Sequence, residues 1–309
     1  MMMKMLQKVS RVYMAQTRKL FHCHFKIKLP VCFGESLIDQ CFELLEKIDT
    51  NYNSYQPGSY FDNINRQAGN WVRVDDQCIR MLQTLRLVSE LTQGSYDITC
   101  MPLIRLWGFY SQVNEDVPTL SELQKTLVKV NYRSVFINGN DVRINPGQEI
   151  ITGSFIKAFA VDKVVEFLKA QGVTDAIINA GGSTIMALND EVHPHWNINI
   201  PDAFVHGQYP SRITISNQCF SLSGRLNNHL VIKDKTYGHI LNSRTGFPVS
   251  TVQVGVLTQN AFLGDVLSTA LFTVDKNEAV HTIKKMKQHF DFNYFRIEED
   301  GNKISDTCF

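Results

Sequence analysis

Apolar and polar residues alternate along FHCHFKIKLP (21–30), which predicts a β-strand with one face turned to a core. The period then changes. Ile38, Cys41, Phe42, Leu45 and Ile48 recur at three- and four-residue spacing, so residues 36–49 are predicted as an amphipathic helix. The polar stretch 53–70, with Pro57 and two glycines, reads as loop or short turns. Asp75 and Asp76 can cap a second helix that carries Cys78, Met81, Leu82, Leu85 and Val88 on one side. Thr119 and Glu122 form the T-x-x-E of a capping box before a further short helix. VFINGNDVRI (135–144) places two apolar runs around a turn and predicts a hairpin.

The second half predicts a helix over 155–170 and strands at 176–179, 196–200, 212–216, 229–233 and 252–257. Helices near 261–273 and 277–288 follow, then a last strand at 292–297. Strands come in runs with helices between them. The expected fold is therefore α+β, with a mixed, mostly antiparallel sheet flanked by helices. The basic segment 1–18 reads as a disordered or frayed lead-in, and 19–309 as one domain without repeats.

Composition narrows the picture in three ways. A chain of 309 residues with 44% hydrophobic and 20% charged residues can bury a sizeable core. A net charge of +1 argues against a nucleic-acid surface. The seven cysteines are scattered, with no C-x-x-C pair, so they are read as reduced, packed thiols. No stretch approaches the ~20 apolar residues of a membrane span. The N-terminus has no apolar core of signal-peptide length, and the chain carries no lipoprotein motif, so the expected location is the cytoplasm.

Four segments combine glycines, hydroxyls and carboxylates in otherwise core-like surroundings. In GSYDITCMPLIRLWGF (94–109), Tyr96 and Asp97 suit either a capped loop or a wall for a planar ligand. Pro102 and Trp107-Gly108 are expected to break any regular element there. In ITGSFIKAFAVDKVVEFL (151–168), Gly153-Ser154 leads into a helix whose N-terminus suits a phosphate, while Lys157 suits the site or the surface equally. In 221–250, Ser223-Gly224 ends a strand and His239 follows Gly238 before a sharp turn; such a histidine serves as catalyst or as packing. In 258–274, Asp265 and Thr269 share one helix face, with Ser268 beside them. That oxygen-only set matches Mg²⁺, or else a helix cap with hydroxyls bonded to the backbone.

In this order the segments resemble the motifs of the ApbE family of FAD:protein FMN transferases. G-x-F-D-I-T-x-x-P-L-x-x-L-W-G resembles 94–108, and D-L-G-G-I-A-K-G-Y-A-x-D resembles 151–162. N-x-G-G, S-G, H-I-I-D-P-x-T-G-x-P and A-D-A-x-[ST]-T-A resemble 179–182, 223–224, 239–248 and 264–270. More weakly, IDTNYNSYQPGS (48–59) resembles an N-terminal family segment. The resemblance implies cleavage of FAD at its pyrophosphate and transfer of FMN, as a phosphoester, to a Thr or Ser of an acceptor protein. It implies Mg²⁺ held by Asp265 and Thr269 with Ser154 and Ser268, and His239 as the base. It implies flavin contacts from Tyr55, Ser95, Tyr96, Asp97, Lys157 and Ile240.

The chain departs from the family pattern where Ile151 replaces an aspartate, Ser154 a glycine, and Ile156 and Ala158 smaller residues. An N-terminal M-G-T is replaced near Phe21-His22-Cys23, Ser183 follows N-x-G-G where the family often has aspartate, and Asn242-Ser243 stands for D-P. Ile151 is expected to remove one polar contact, and Ile156 to crowd the site. These departures keep two alternatives open: a non-catalytic flavin binder, and an FAD pyrophosphatase without a protein acceptor.

Overall fold

The computed structural model describes residues 11–109, 116–226, 229–306 and 309. Strands β1 (Tyr13–Leu20) and β2 (Cys23–Pro30) form a hairpin and are followed by helices α1 (Glu35–Tyr52) and α2 (Tyr60–Arg66). Next come β3 (Val72–Arg73), α3 (Asp76–Leu91), α4 (Met101–Trp107), α5 (Leu120–Leu127), β4 (Phe136–Asn138) and β5 (Asp141–Arg143). Helix α6 (Ile156–Ala170) leads into β6 (Ala176–Ala180), β7 (Thr184–Leu188), β8 (Trp196–Ile200), β9 (Ser211–Ile215) and β10 (Cys219–Gly224). Short pairs β11 (His229–Ile232) with β12 (Lys235–Gly238) and β13 (Leu241–Asn242) with β14 (Phe247–Pro248) precede β15 (Thr251–Thr258). The chain closes with α7 (Ala261–Thr273), α8 (Ala279–Met286), β16 (Asn293–Glu298) and β17 (Lys303–Ser305).

One eight-stranded sheet organises these elements, in the order β1-β2-β6-β7-β10-β15-β16-β17. Each neighbouring pair in it is antiparallel. The fold is α+β, as the strand runs implied. Period-two alternation divides the sheet into two faces. Phe25, Ile27, Leu29, Ile178, Met186, Val254 and Val256 point into the main core with α1, α3, α6 and α7. Ile185, Ala187, Phe220, Leu222, Leu257 and Phe295 point the other way, under the β8–β9 hairpin. A third cluster joins Leu103, Trp107, Ile151, Leu230 and Leu241 beside the sheet.

Four local expectations are corrected. Residues 13–18 are not a frayed lead-in. They belong to β1, an edge strand held along its whole length by β2, while residues 1–10 lie outside the described residues. Within 53–70, Ser59 accepts from the Asp62 amide at 3.1 Å and starts α2. Pro102 begins α4 rather than breaking it, because a proline in the first turn gives up an amide that would have no helical partner. That helix ends at Gly108, which is left-handed with φ 86°. Strands β7 and β17 were not anticipated at all.

Gly255 reports how tightly the sheet is packed. It pairs with Leu222 and Phe295, and a Cβ there would lie 2.2 Å from the Phe295 ring. Gly255→Ala is expected to destabilise the protein by about 1–3 kcal/mol through overpacking, read as a lower urea midpoint at unchanged slope.

Candidate active site

The site is built around α7, an apolar helix laid on the sheet. Gly264 permits this seating, since a Cβ there would lie 2.6 Å from both Ser221 Oγ and Thr258 Oγ1. Both ends of the helix are fixed. Asn260 accepts from the Leu263 amide at 2.9 Å, and Asp162 of α6 accepts from the Ala261 and Phe262 amides at 2.7 and 2.8 Å. At the other end the Arg296 guanidinium donates to the carbonyls of Leu271 and Val274, at 2.8 and 2.7 Å. These groups satisfy donors and acceptors that a helix cannot pair internally. Asp265 is therefore not a helix cap, because Asn260 and Asp162 already fill that role.

Asp265 lies on the wall of a cavity of about 290 Å³ and is 2% exposed. One carboxylate oxygen accepts from Lys157 Nζ of α6. The other accepts from Thr184 Oγ1 of β7 at 3.2 Å. Burial pushes the carboxyl above its ordinary range, and Lys157 and then Thr184 pull it back toward the ionised form. One and two turns further along, Thr269 and Thr273 line the same cavity. Ser223, at the end of β10, brings its hydroxyl within 2.9 Å of Ser268 Oγ and 3.3 Å of Thr269 Oγ1.

The 95–100 loop and the turn before α6 also line the cavity. Tyr96 places its hydroxyl 2.9 Å from Ser154 Oγ, and burial raises its pKa. The loop connecting β12 to β13 contributes His239 and Ile240. The cavity lining is mixed: Ile98, Ile104, Ile151, Ile240 and Leu241 are apolar, while Ser154, Lys157, His239, Asp265 and Thr269 are polar. No cysteine here is a ready nucleophile: burial pushes the Cys100 thiol up to about 12 and that of Cys23, packed on Gly181, up to about 11.

Of the residues singled out from sequence, Tyr96, Asp97, Ser154, Lys157, His239, Ile240, Asp265 and Thr269 converge on this cavity. Tyr55, Ser95 and Ser268 are not on its wall. Tyr55 is 40% exposed, edge-on to His22, with its hydroxyl 3.8 Å from Met101 Sδ. Ser95 is buried and its hydroxyl meets Thr273 Oγ1 at 3.2 Å. Ser268 donates to the Asp265 carbonyl at 3.1 Å and so braces the wall from behind.

Asp97 reaches the cavity with its carboxylate already engaged. It accepts from the Thr99 amide and hydroxyl at 2.8 and 2.7 Å, and from the Tyr132 amide at 2.7 Å. The expected crowding by Ile156 is not found, because that side chain packs into the main core. Ile151 does lie on the wall. Asn242 keeps the turn by accepting from the Arg244 amide at 2.9 Å, and its amide donates to the Thr273 carbonyl at 3.1 Å, which a carboxylate could not do. Sequence reasoning missed Thr184, Ser243 and Thr273, and gave no site role to Ser223. Thr184, Ser221 and Ser223 all point toward α7, and hydroxyls on that face were the available signal.

Among the described residues no helix is long and apolar enough to cross a membrane, and no group of three or more His, Cys, Asp or Glu could hold a metal. The six described cysteines are free thiols, and Cys308 lies outside the described residues.

Comparison with known proteins agrees with this geometry. The model of the ApbE family matches residues 21–292. The chain is 25% identical over 247 residues to the FAD:protein FMN transferase of Klebsiella pneumoniae, covering 77% of this chain and 75% of that one. It is 26% identical over 254 residues to the protein of the same name in Vibrio cholerae, covering 80% and 76%. The crystal structure of the ApbE protein from Thermotoga maritima superposes with a TM-score of 0.86 at 20% identity, covering 96% of this chain and 97% of that one. Flavin transferase ApbE from Vibrio cholerae gives 0.84 at 21%, covering 97% and 99%.

Proposed function

The chain belongs to the ApbE family, and from that premise we propose that it is an FAD:protein FMN transferase that moves FMN from FAD to a Thr or Ser of an acceptor protein. The observation that carries this reading is the juxtaposition in one cavity of Asp265, Lys157 and hydroxyls with His239 and several apolar side chains. An amphipathic ligand with a flat ring and a diphosphate matches such a mixed lining.

Mg²⁺ fits the donor set. The lining offers the Asp265 carboxylate and neutral hydroxyls, with the Asp97 carboxylate already engaged, and Mg²⁺ is commonly held by one or two carboxylates together with substrate phosphates and water. Asp265 and Thr269 would hold it, with Ser154, and Ser268 would support them through its bonds to Ser223 and the Asp265 carbonyl. When bound, the ion would neutralise charge on the pyrophosphate.

The chain's own residues account for the rest. His239 takes the proton of the acceptor hydroxyl as its oxygen bonds to the phosphorus of the FMN half. The bond from that phosphorus to the bridging oxygen breaks, and AMP leaves. Lys157 is the other cation beside Asp265, and its flexible stem lets it follow phosphate charge. Tyr96 holds the Ser154 hydroxyl. Mixing the protein with FAD, Mg²⁺ and a candidate acceptor tests the proposal. A flavin-fluorescent acceptor band that survives denaturation is expected, and its absence across acceptors bearing accessible Thr or Ser motifs would overturn it.

A second reading, a flavin binder without turnover, is favoured by Ile151, an apolar residue on the wall where the family motif has an aspartate. The same assay separates the two. A binder retains FAD intact and labels nothing.

FAD is expected to bind more tightly than FMN in the presence of Mg²⁺, because only FAD brings the second phosphate to the Asp265–Thr269 face. One lost charge-assisted contact is worth about 1.5–3 kcal/mol, or roughly tenfold or more in Kd. Calorimetric titration with both flavins checks this, and equal or tighter FMN binding would count against a pyrophosphate site.

A further inference from the structure

We propose that Thr184 is a positioning residue for the metal-binding carboxylate: it anchors Asp265 to the central sheet and so sets which way that carboxylate faces the cavity. The inference rests on the metal-site reading given above. Thr184 lies just beyond the Asn179–Gly182 turn, in the middle of the sheet. Its backbone is paired on both sides, with Ala180 of β6 and Ser221 of β10. It is fully buried, on the face turned to α7.

A hydroxyl in that place is costly unless it is bonded. Its bond goes to Asp265 Oδ1, at 3.2 Å. The two partners of Asp265 differ in kind. Lys157 reaches Oδ2 on a flexible four-carbon stem from α6, with its side chain 17% exposed. It can swing away when a cation or a phosphate arrives. Thr184 cannot follow, because its β-branched side chain is restricted at χ1 and its strand is held on both edges. One oxygen of Asp265 therefore stays tied to the sheet while the other is presented to the cavity. The main chain of Asp265 is braced as well, by Ser268 Oγ on its carbonyl. Groups that orient a metal ligand from behind commonly matter nearly as much as the ligand itself.

The test uses Thr184→Val, which keeps the branched shape and removes only the hydroxyl, and Thr184→Ser, which keeps the hydroxyl. Mg²⁺ is titrated into the complex of each protein with FAD by calorimetry, and FAD binding without metal is measured separately. Thr184→Val is expected to weaken Mg²⁺ binding by about 10–100-fold, while Thr184→Ser stays near wild type. FAD affinity without metal and the thermal midpoint are expected to change little. Rescue by serine separates positioning from packing, since serine loses the methyl and valine the hydroxyl. Wild-type Mg²⁺ affinity in Thr184→Val would overturn the inference and leave the metal site standing. A parallel loss in both variants would also overturn it, assigning the effect to packing. No Mg²⁺ uptake by the wild-type complex would overturn the metal-site reading itself, and this inference with it.

Discussion

Asp265→Ala is expected to lower FMN transfer by at least about 10³-fold, equivalent to about 4 kcal/mol of lost transition-state stabilisation. The fold should survive. Asp265 does not cap α7, whose first amides are held by Asn260 and Asp162, so no helix end is left open by the change. Two effects on stability oppose each other. The variant strands Lys157, which loses its carboxylate partner. It also removes a carboxylate whose burial had pushed its pKa up, which relieves a desolvation cost. Lys157 can turn its amine into the open cavity, so the net change in melting temperature is expected to be small.

Asp265→Asn sharpens the test, because it keeps the shape and one acceptor oxygen and removes the charge. Both variants should lose the response of the rate to added Mg²⁺, and Thr269→Ala should lose less, being neutral. Thermal melts beside metal-dependent turnover decide. An Asp265→Ala protein that melts far lower but turns over normally per folded molecule would make Asp265 a structural residue.

What the sequence made legible followed the strength of each local pattern. Helix α7 was expected at 261–273 and is found at Ala261–Thr273, because Asn260 caps it and its apolar run is long. Strand β8 was equally plain, since its buried and exposed residues alternate. Strand β1 was hidden for the opposite reason: YMAQTRKL has no strong apolar face and is an edge strand with one partner. Strand β7 is buried at all five positions, covered by helices on one face and the β8–β9 hairpin on the other, so it lacks alternation. Helices α2 and α4 are seven residues each, too short for a periodic signal beside Pro57 and Pro102.

The site divides along the same line. Asp265 and Thr269 stood out because polar atoms in an apolar helix demand partners. His239 stood out beside a glycine and a turn. The partners themselves were illegible. Thr184 lies 81 positions from Asp265, and the Tyr132 amide that occupies Asp97 lies 35 positions away. Only the folded sheet brings them together, and no local spacing encodes such contacts. The departures from the family motif were visible as letters, but their consequences were not. Ile151 and Ile156 both replace smaller or more polar residues. Ile151 lies in the loop before α6 and reaches the cavity wall, whereas Ile156 opens α6 and packs into the core.

His239→Ala is expected to slow FMN transfer by about 10²–10⁴-fold, the usual contribution of a general base. His239 is half-buried on the cavity wall, in the loop that joins β12 to β13. The imidazole must be neutral to accept the acceptor's proton, so the wild-type rate should rise with pH along a limb that the variant lacks. Binding should separate from turnover. The metal donors lie on α7 and at Ser154, so FAD and Mg²⁺ affinities are expected to stay near wild type. The competing account is that His239 packs the loop and nothing more. In that case the variant would melt lower, bind less FAD and turn over normally per FAD-bound molecule. Normalising the rate to the FAD-binding fraction at each pH separates these outcomes. His239→Gln adds a control, since it restores bulk and hydrogen bonding without a group that takes up the proton. If glutamine restores the rate, or if His239→Ala keeps a wild-type rate and pH profile, proton transfer by His239 is excluded, and the acceptor hydroxyl must lose its proton to another group.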